Sequence, residues 1–203
     1  MMNYDTKNKR DTIEFNGKVF IKTLIKFNDE TEKNIFSNYK SKTLGETAKK
    51  DKYKHLKDVV NDLNRDMPFG QYLYDAKERG DKTYLESLNP YGDKSFCKFE
   101  ILDESIFHKR GLYVYRIKHE IKYIGRCLDN YKLRINSGYG KITPVNCLKH
   151  GRSTNCRINY FITNYYKDIE LYVHPMKNSN DIKRLEKELI AKEKPEWNRQ
   201  LYK

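Results

Sequence analysis

The sequence predicts an α+β protein, and three observations carry that expectation. After Lys109-Arg110 the apolar pattern switches to a period of two, giving the strand-like runs 111–117 (GLYVYRI) and 121–126 (IKYIGR). A third such run spans 169–174, and helical patterns lie between and after, so the order from 111 onward is two strands, two helices, strand, helix. Residues 1–105 mix a hairpin pattern with helical ones and read as an N-terminal α/β extension to a second domain at 106–203.

Residues 1–12 are polar and charged, and fraying is expected there. Runs 13–15 and 18–27 flank Asn16-Gly17, a pair that tolerates the positive φ of a two-residue turn, so they form a hairpin. Over 44–63 the spacing turns helical, with Leu56, Val59, Val60 and Leu63 on one face. A short helix follows at 72–79, and Asn89-Pro90-Tyr91-Gly92 reads as a turn. Lys118-His119-Glu120 joins the strands at 111–117 and 121–126 into an antiparallel hairpin. A helix at 129–136 then runs into a Gly-broken loop, Ser137-Gly138-Tyr139-Gly140, that reaches Pro144. Ser153 and Thr154 cap a helix that carries Ile158, Phe161 and Ile162 to about Tyr166. The last helix opens between Asn178 and Asp181 and closes at Lys194-Pro195.

Composition bounds the class. With 37% hydrophobic and 13% aromatic residues the chain can pack a core, while 34% charged residues and a mean hydropathy of −0.95 describe a solvated surface. No apolar run is long enough for a membrane span and no apolar leader opens the chain, so no membrane partner and a cytoplasmic location are expected. Cys97, Cys127, Cys147 and Cys156 form no C-x-x-C pair. Reduced, buried thiols are the expectation; a zinc site using the C-x2-H spacing of Cys147 and His150 is the sharper alternative, but paired ligand doublets are missing. The net charge of +13 is unevenly spread: residues 1–110 contribute +3 and residues 111–203 contribute +10. Between 126 and 157, seven Lys and Arg residues face Asp129 alone, a distribution suited to polyanions and equally to a plain solvated face.

On the last helix, Ile182, Leu185, Leu189 and Ile190 share one apolar face with Glu186 at its centre, whereas Glu188 points away. A carboxylate there needs a partner, whether a salt bridge or a hard cation such as Mg2+. Tyr113 and Tyr123 sit on the two strands of the hairpin, and Tyr115 shares the face of Tyr113; as isolated residues they read as core tyrosines.

Taken together these residues form a wider pattern. Gly111-Leu112-Tyr113, followed ten residues after its tyrosine by Tyr123-Ile124-Gly125, resembles the paired signature of the GIY-YIG nucleases, and most closely their restriction endonucleases. Arg134, nine residues after Gly125, stands where that family has its helix arginine. Glu186 matches its metal-binding glutamate, and Pro195-Glu196-Trp197-Asn198 matches its closing P-x-x-N. The resemblance covers 111 to about 200 and implies a small three-stranded antiparallel sheet flanked by helices. One position departs: many members carry His, Tyr or Lys one helical turn after the arginine, and here Gly138 stands there, leaving Tyr139 or His150 as substitutes.

The resemblance further implies hydrolysis of double-stranded DNA to 5′-phosphate and 3′-hydroxyl ends with one Mg2+ or Mn2+ per site, held by Glu186. Tyr113, or secondarily Tyr123, would take a proton from water, Arg134 would stabilise the phosphorane, and Asn198 would orient the site. Arg126, Tyr139, Lys141, His150, Arg152 and Arg157 are the expected DNA contacts, and a homodimer would suit double-strand cutting. A short chain with one extra module fits a site-specific restriction-type enzyme; a phage or mobile-element nuclease of looser specificity, or an inactive DNA-binding module, are the alternatives.

Overall fold

Two neighbouring backbone angles decide where the first hairpin turns. In the computed structural model, which describes residues 11–201, Asn16 and Gly17 have φ of 53° and 65°, so β1 (Thr12–Phe15) and β2 (Lys18–Thr23) meet across the expected two-residue turn. Thr12 is thus already in a strand, and the fraying expected for residues 1–10 lies outside the described residues. The run after the turn does not continue as one strand. It breaks at the exposed Leu24, and β3 (Ile25–Glu32) leaves to form a two-stranded sheet with β4 (Phe96–Ile101).

The fold is α+β. Its main sheet contains β5 (Gly111–Ile117), β6 (Glu120–Cys127) and β7 (Ile169–Pro175), as the sequence predicts, but it has five strands rather than three. The order is β1-β2-β7-β5-β6, antiparallel throughout, because β2 pairs with β7 through Ile21↔Val173 and Thr23↔Leu171. A period-two pattern announces a strand without naming its partner, and these partners stand about 150 positions apart. The Nδ1 of His174 and the Val19 carbonyl, 2.8 Å apart, add a side-chain bond to that seam.

The helices agree less evenly. The predicted helix over 44–63 is in fact α1 (Leu44–Ala48), capped by a reciprocal Thr43–Glu46 box, and then 3-10 turns over Asp51–Val59. Lys50 is extended between them, at φ −86° and ψ 139°, which cuts the period. Of the four residues assigned to its apolar face, Leu56 is buried and Val60 half-buried, whereas Leu63 is 96% exposed. Next come α2 (Phe69–Glu78), α3 (Glu104–Phe107), α4 (Pro144–Cys147) and α5 (Ser153–Tyr165). The turn at Asn89 closes as read: its carbonyl accepts from Gly92 at 2.8 Å and its side chain from Tyr91 at 2.9 Å. The final helix, α6 (Ser179–Glu193), starts where the Asn178 side chain accepts from the amides of Asn180 and Asp181, and ends at left-handed Lys194.

The chain divides into two compact units that interleave along the sequence. Among the described residues, one combines 11–26, 100–136 and 165–201; the other combines 27–99 and 137–164. The core of the first joins Phe20, Leu112, Val114, Ile124 and Tyr172 of the sheet to Ile182, Leu185, Leu189 and Ile190 of α6. Each such buried side chain contributes roughly 1.5–3 kcal/mol, which holds α6 on that face of the sheet. The core of the second is built around Phe36, Leu44, Tyr53, Phe69, Leu73, Phe96, Leu148 and Cys156. All four cysteines are buried and free. Among the described residues no helix is long and apolar enough to cross a membrane.

Candidate active site

Strand alternation sorts the signature residues by face. Leu112, Val114 and Ile124 point to α6, so Tyr113 and Tyr115 on β5, and Tyr123 and Gly125 on β6, lie on the opposite face. Tyr113 is registered against Gly125 and Tyr115 against Tyr123, and the three rings cluster with centroids 6.0–6.4 Å apart. The glycines of both triplets have a steric reason. A Cβ on Gly125 would stand 2.4 Å from the Cζ and Oη of Tyr113, so the phenol rests on bare backbone. At Gly111, with φ of 150°, a Cβ would meet the His174 carbonyl at 2.1 Å and the Tyr131 hydroxyl at 2.5 Å, and that hydroxyl donates to the Leu112 carbonyl at 3.0 Å. Tyr131 is a site-building residue that sequence reasoning missed; nothing short of the strand register points to it.

Arg134 projects from a π-helical segment, Lys132–Tyr139, in place of the α-helix expected at 129–136. Its Nε donates to the Tyr113 hydroxyl oxygen at 3.0 Å. Such segments are uncommon and concentrate at functional sites. Here the segment also continues through Gly138, where the sequence had a loop.

Glu186 is buried in the apolar face of α6, as its helical position predicts, and it is not alone. Arg126, on the same face of the sheet, pairs with it through Nη1 and Oε2, which is the salt bridge the sequence left open, with a partner it did not name. Burial pushes the Glu186 carboxyl above its ordinary value; the Arg126 charge and hydrogen bond, and the charge of Arg134, oppose the shift. Arg134 therefore acts on both Tyr113 and Glu186, one by hydrogen bond and the other through its field.

Asn198 comes to the edge strand. Its side-chain amide accepts from the Ile124 N–H and donates to the Ile124 carbonyl, both at 2.8 Å, inside the Tyr123-Ile124-Gly125 triplet. That bidentate clamp fixes β6 and makes Asn198 a positioning residue for the triplet.

Tyr113, Tyr123, Arg126, Arg134, Glu186 and Asn198 all belong to the first unit; Tyr139, Lys141, His150, Arg152 and Arg157 belong to the second. Within that second unit Lys141 and Arg152 are exposed, and Tyr139 is buried with its carbonyl accepting from Asn159 at 2.6 Å. Arg157 is half-buried, and its buried Nε has no hydrogen-bond partner among the described residues. The His150 Nδ1 lies 2.6 Å from the Tyr53 hydroxyl, and burial, then the charges of Lys50, Lys52 and Lys42, hold the imidazole below its ordinary value.

As to a metal, the described residues contain no cluster of three or more His, Cys, Asp or Glu placed to hold one. The donor set at Glu186 is one buried carboxylate, which is compatible with a hard cation that completes its shell from water. Comparison with protein-family models, with curated proteins and with solved structures gives no match to this chain.

Proposed function

We propose that the chain is a metal-dependent endonuclease of the GIY-YIG type that hydrolyses double-stranded DNA at specific sites to 5′-phosphate and 3′-hydroxyl ends. The observation that carries the reading is the Arg134–Tyr113 hydrogen bond, made by an arginine whose field also reaches Glu186. A free tyrosine is only about one part in a thousand phenolate at neutral pH. In this reading Tyr113 takes a proton from the attacking water, with the Arg134 Nε–H already on its oxygen. Tyr113 is fully buried here, so water must be admitted to it before the step, and Arg134, at its hydroxyl, would face the charge developing on phosphorus. Tyr123, 7% exposed, is the secondary base. Glu186 would hold the ion, which when bound polarises the phosphate and the leaving 3′ oxygen. Asn198 keeps the second tyrosine triplet in register.

One observation favours a second reading, a DNA-binding module that does not cut. A carboxylate already neutralised by Arg126 needs no metal to be tolerated in a phosphate-binding surface. Incubating the protein with supercoiled and linear DNA, with and without Mg2+ or Mn2+, separates the two. Discrete fragments in metal support the site-specific enzyme, nicks or smears a nuclease of looser specificity, and metal-independent retention without cleavage the binding module. Glu186→Ala is expected to retain DNA binding and to lose cleavage; normal cutting by this variant would remove Glu186 from the mechanism.

A further inference from the structure

Arg126 and Glu186 hold assignments that exclude each other in the arrangement observed. The guanidinium expected on a DNA phosphate and the carboxylate expected on a metal ion are bound to one another, Nη1 to Oε2. We propose that Arg126 is an exchangeable internal cation, which occupies the Glu186 carboxylate while DNA is absent and moves to a backbone phosphate when DNA arrives, leaving that carboxylate to a divalent ion. This inference rests on the nuclease reading of Glu186.

The partners are unequal in freedom. The Arg126 side chain is 40% exposed on the edge strand β6, whereas the Glu186 side chain is 11% exposed within the face of α6. The arginine can therefore swing outward by side-chain rotation alone, while the carboxylate stays in place. A buried carboxylate needs a counter-charge in either state. Arg126 supplies it in one state and the divalent ion in the other, while Arg134 is engaged at Tyr113. Coupling follows by linkage: DNA strengthens ion binding and the ion strengthens DNA binding by the same factor, because each removes the competitor of the other.

Mn2+ binding to the intact chain without DNA, measured by electron paramagnetic resonance of the free ion, tests this directly. Arg126→Gln is expected to bind Mn2+ roughly tenfold more tightly than the parent, and Arg126→Lys, which keeps the charge, to remain close to it. In parallel, Ca2+ is expected to tighten binding of a short DNA duplex by the parent but not by Arg126→Gln. Equal or weaker Mn2+ binding by Arg126→Gln, or a duplex affinity of the parent that ignores Ca2+, overturns the exchange. Adding Glu186→Gln to the Arg126→Gln chain is expected to abolish the Mn2+ site. If the double variant binds Mn2+ undiminished, Glu186 is not the ligand and the nuclease reading falls as well. If the site is lost but Arg126→Gln alone gained nothing, only the exchange falls.

Discussion

A methyl group on the neighbouring strand is enough to displace the phenol of Tyr113. The ring lies on Gly125 so closely that alanine there would place its Cβ 2.4 Å from Cζ and Oη, and backbone cannot retreat inside a paired strand. Gly125→Ala is therefore expected to cost roughly 1–3 kcal/mol and to pull the hydroxyl off Arg134. Thermal denaturation and a cleavage assay check both parts, and an alanine variant as stable and active as the parent would show that the phenol has room after all. His150 carries a different residue-level prediction. Its folded value lies below the ordinary 6.5, so the stability it contributes is complete above that pH and is lost as the pH falls through the lowered value. The thermal midpoint should thus drop as the pH falls below 6.5, and His150→Asn should flatten that slope. Glu186 was legible from the helical period of α6, whereas Tyr113 and Arg134 stood out only through the motif resemblance, since strand period alone makes Tyr113 a core tyrosine and the segment carrying Arg134 is π-helical. The Arg126–Glu186 pair was not, since it depends on how far α6 slides along β6, and apolar patterning leaves that offset open.

At the scale of elements, the edge strand β6 shows how one side chain can stand in for a neighbouring strand. Asn198 satisfies both outward groups of Ile124, as the next strand of a sheet would. Asn198→Ala should leave a buried N–H and a buried carbonyl unmatched, at roughly 2–4 kcal/mol in total, with faster amide exchange at Ile124 as the local sign. Protection of Ile124 unchanged from the parent would mean that water or another group takes the place of Asn198. The elements that sequence predicted well are those whose ends carry a signal: the Asn16-Gly17 turn, the Asn178 cap of α6 and the hairpin of β5 and β6. The stretch 44–63 misled because a helical period can continue through a break that Lys50 makes with two backbone angles. The π-helical segment was invisible for a related reason, since one residue of extra winding per turn leaves composition unchanged.

For the whole chain, the charge bias is the readable feature: +10 of the +13 lies in residues 111–203. Binding to a polyanion should then weaken steeply with salt, log K falling by roughly 0.9 per log unit for each phosphate neutralised. Fluorescence anisotropy of a labelled duplex over a salt series measures that slope, and a flat response would exclude backbone phosphate as the main contact. Architecture was less readable than charge, because the sequence shows hairpins and helices but not that the first hairpin enlarges the main sheet. The pairing of β2 with β7 has a kinetic consequence. The nascent chain makes β2 early and must keep the side of it meant for β7 unsatisfied while about 150 further residues are synthesised, an interval in which a half-made ribbon is open to the wrong neighbour. Closing so large a loop raises the contact order, so refolding should be slow for a protein of this size, and crowding by other unfinished copies is its main hazard.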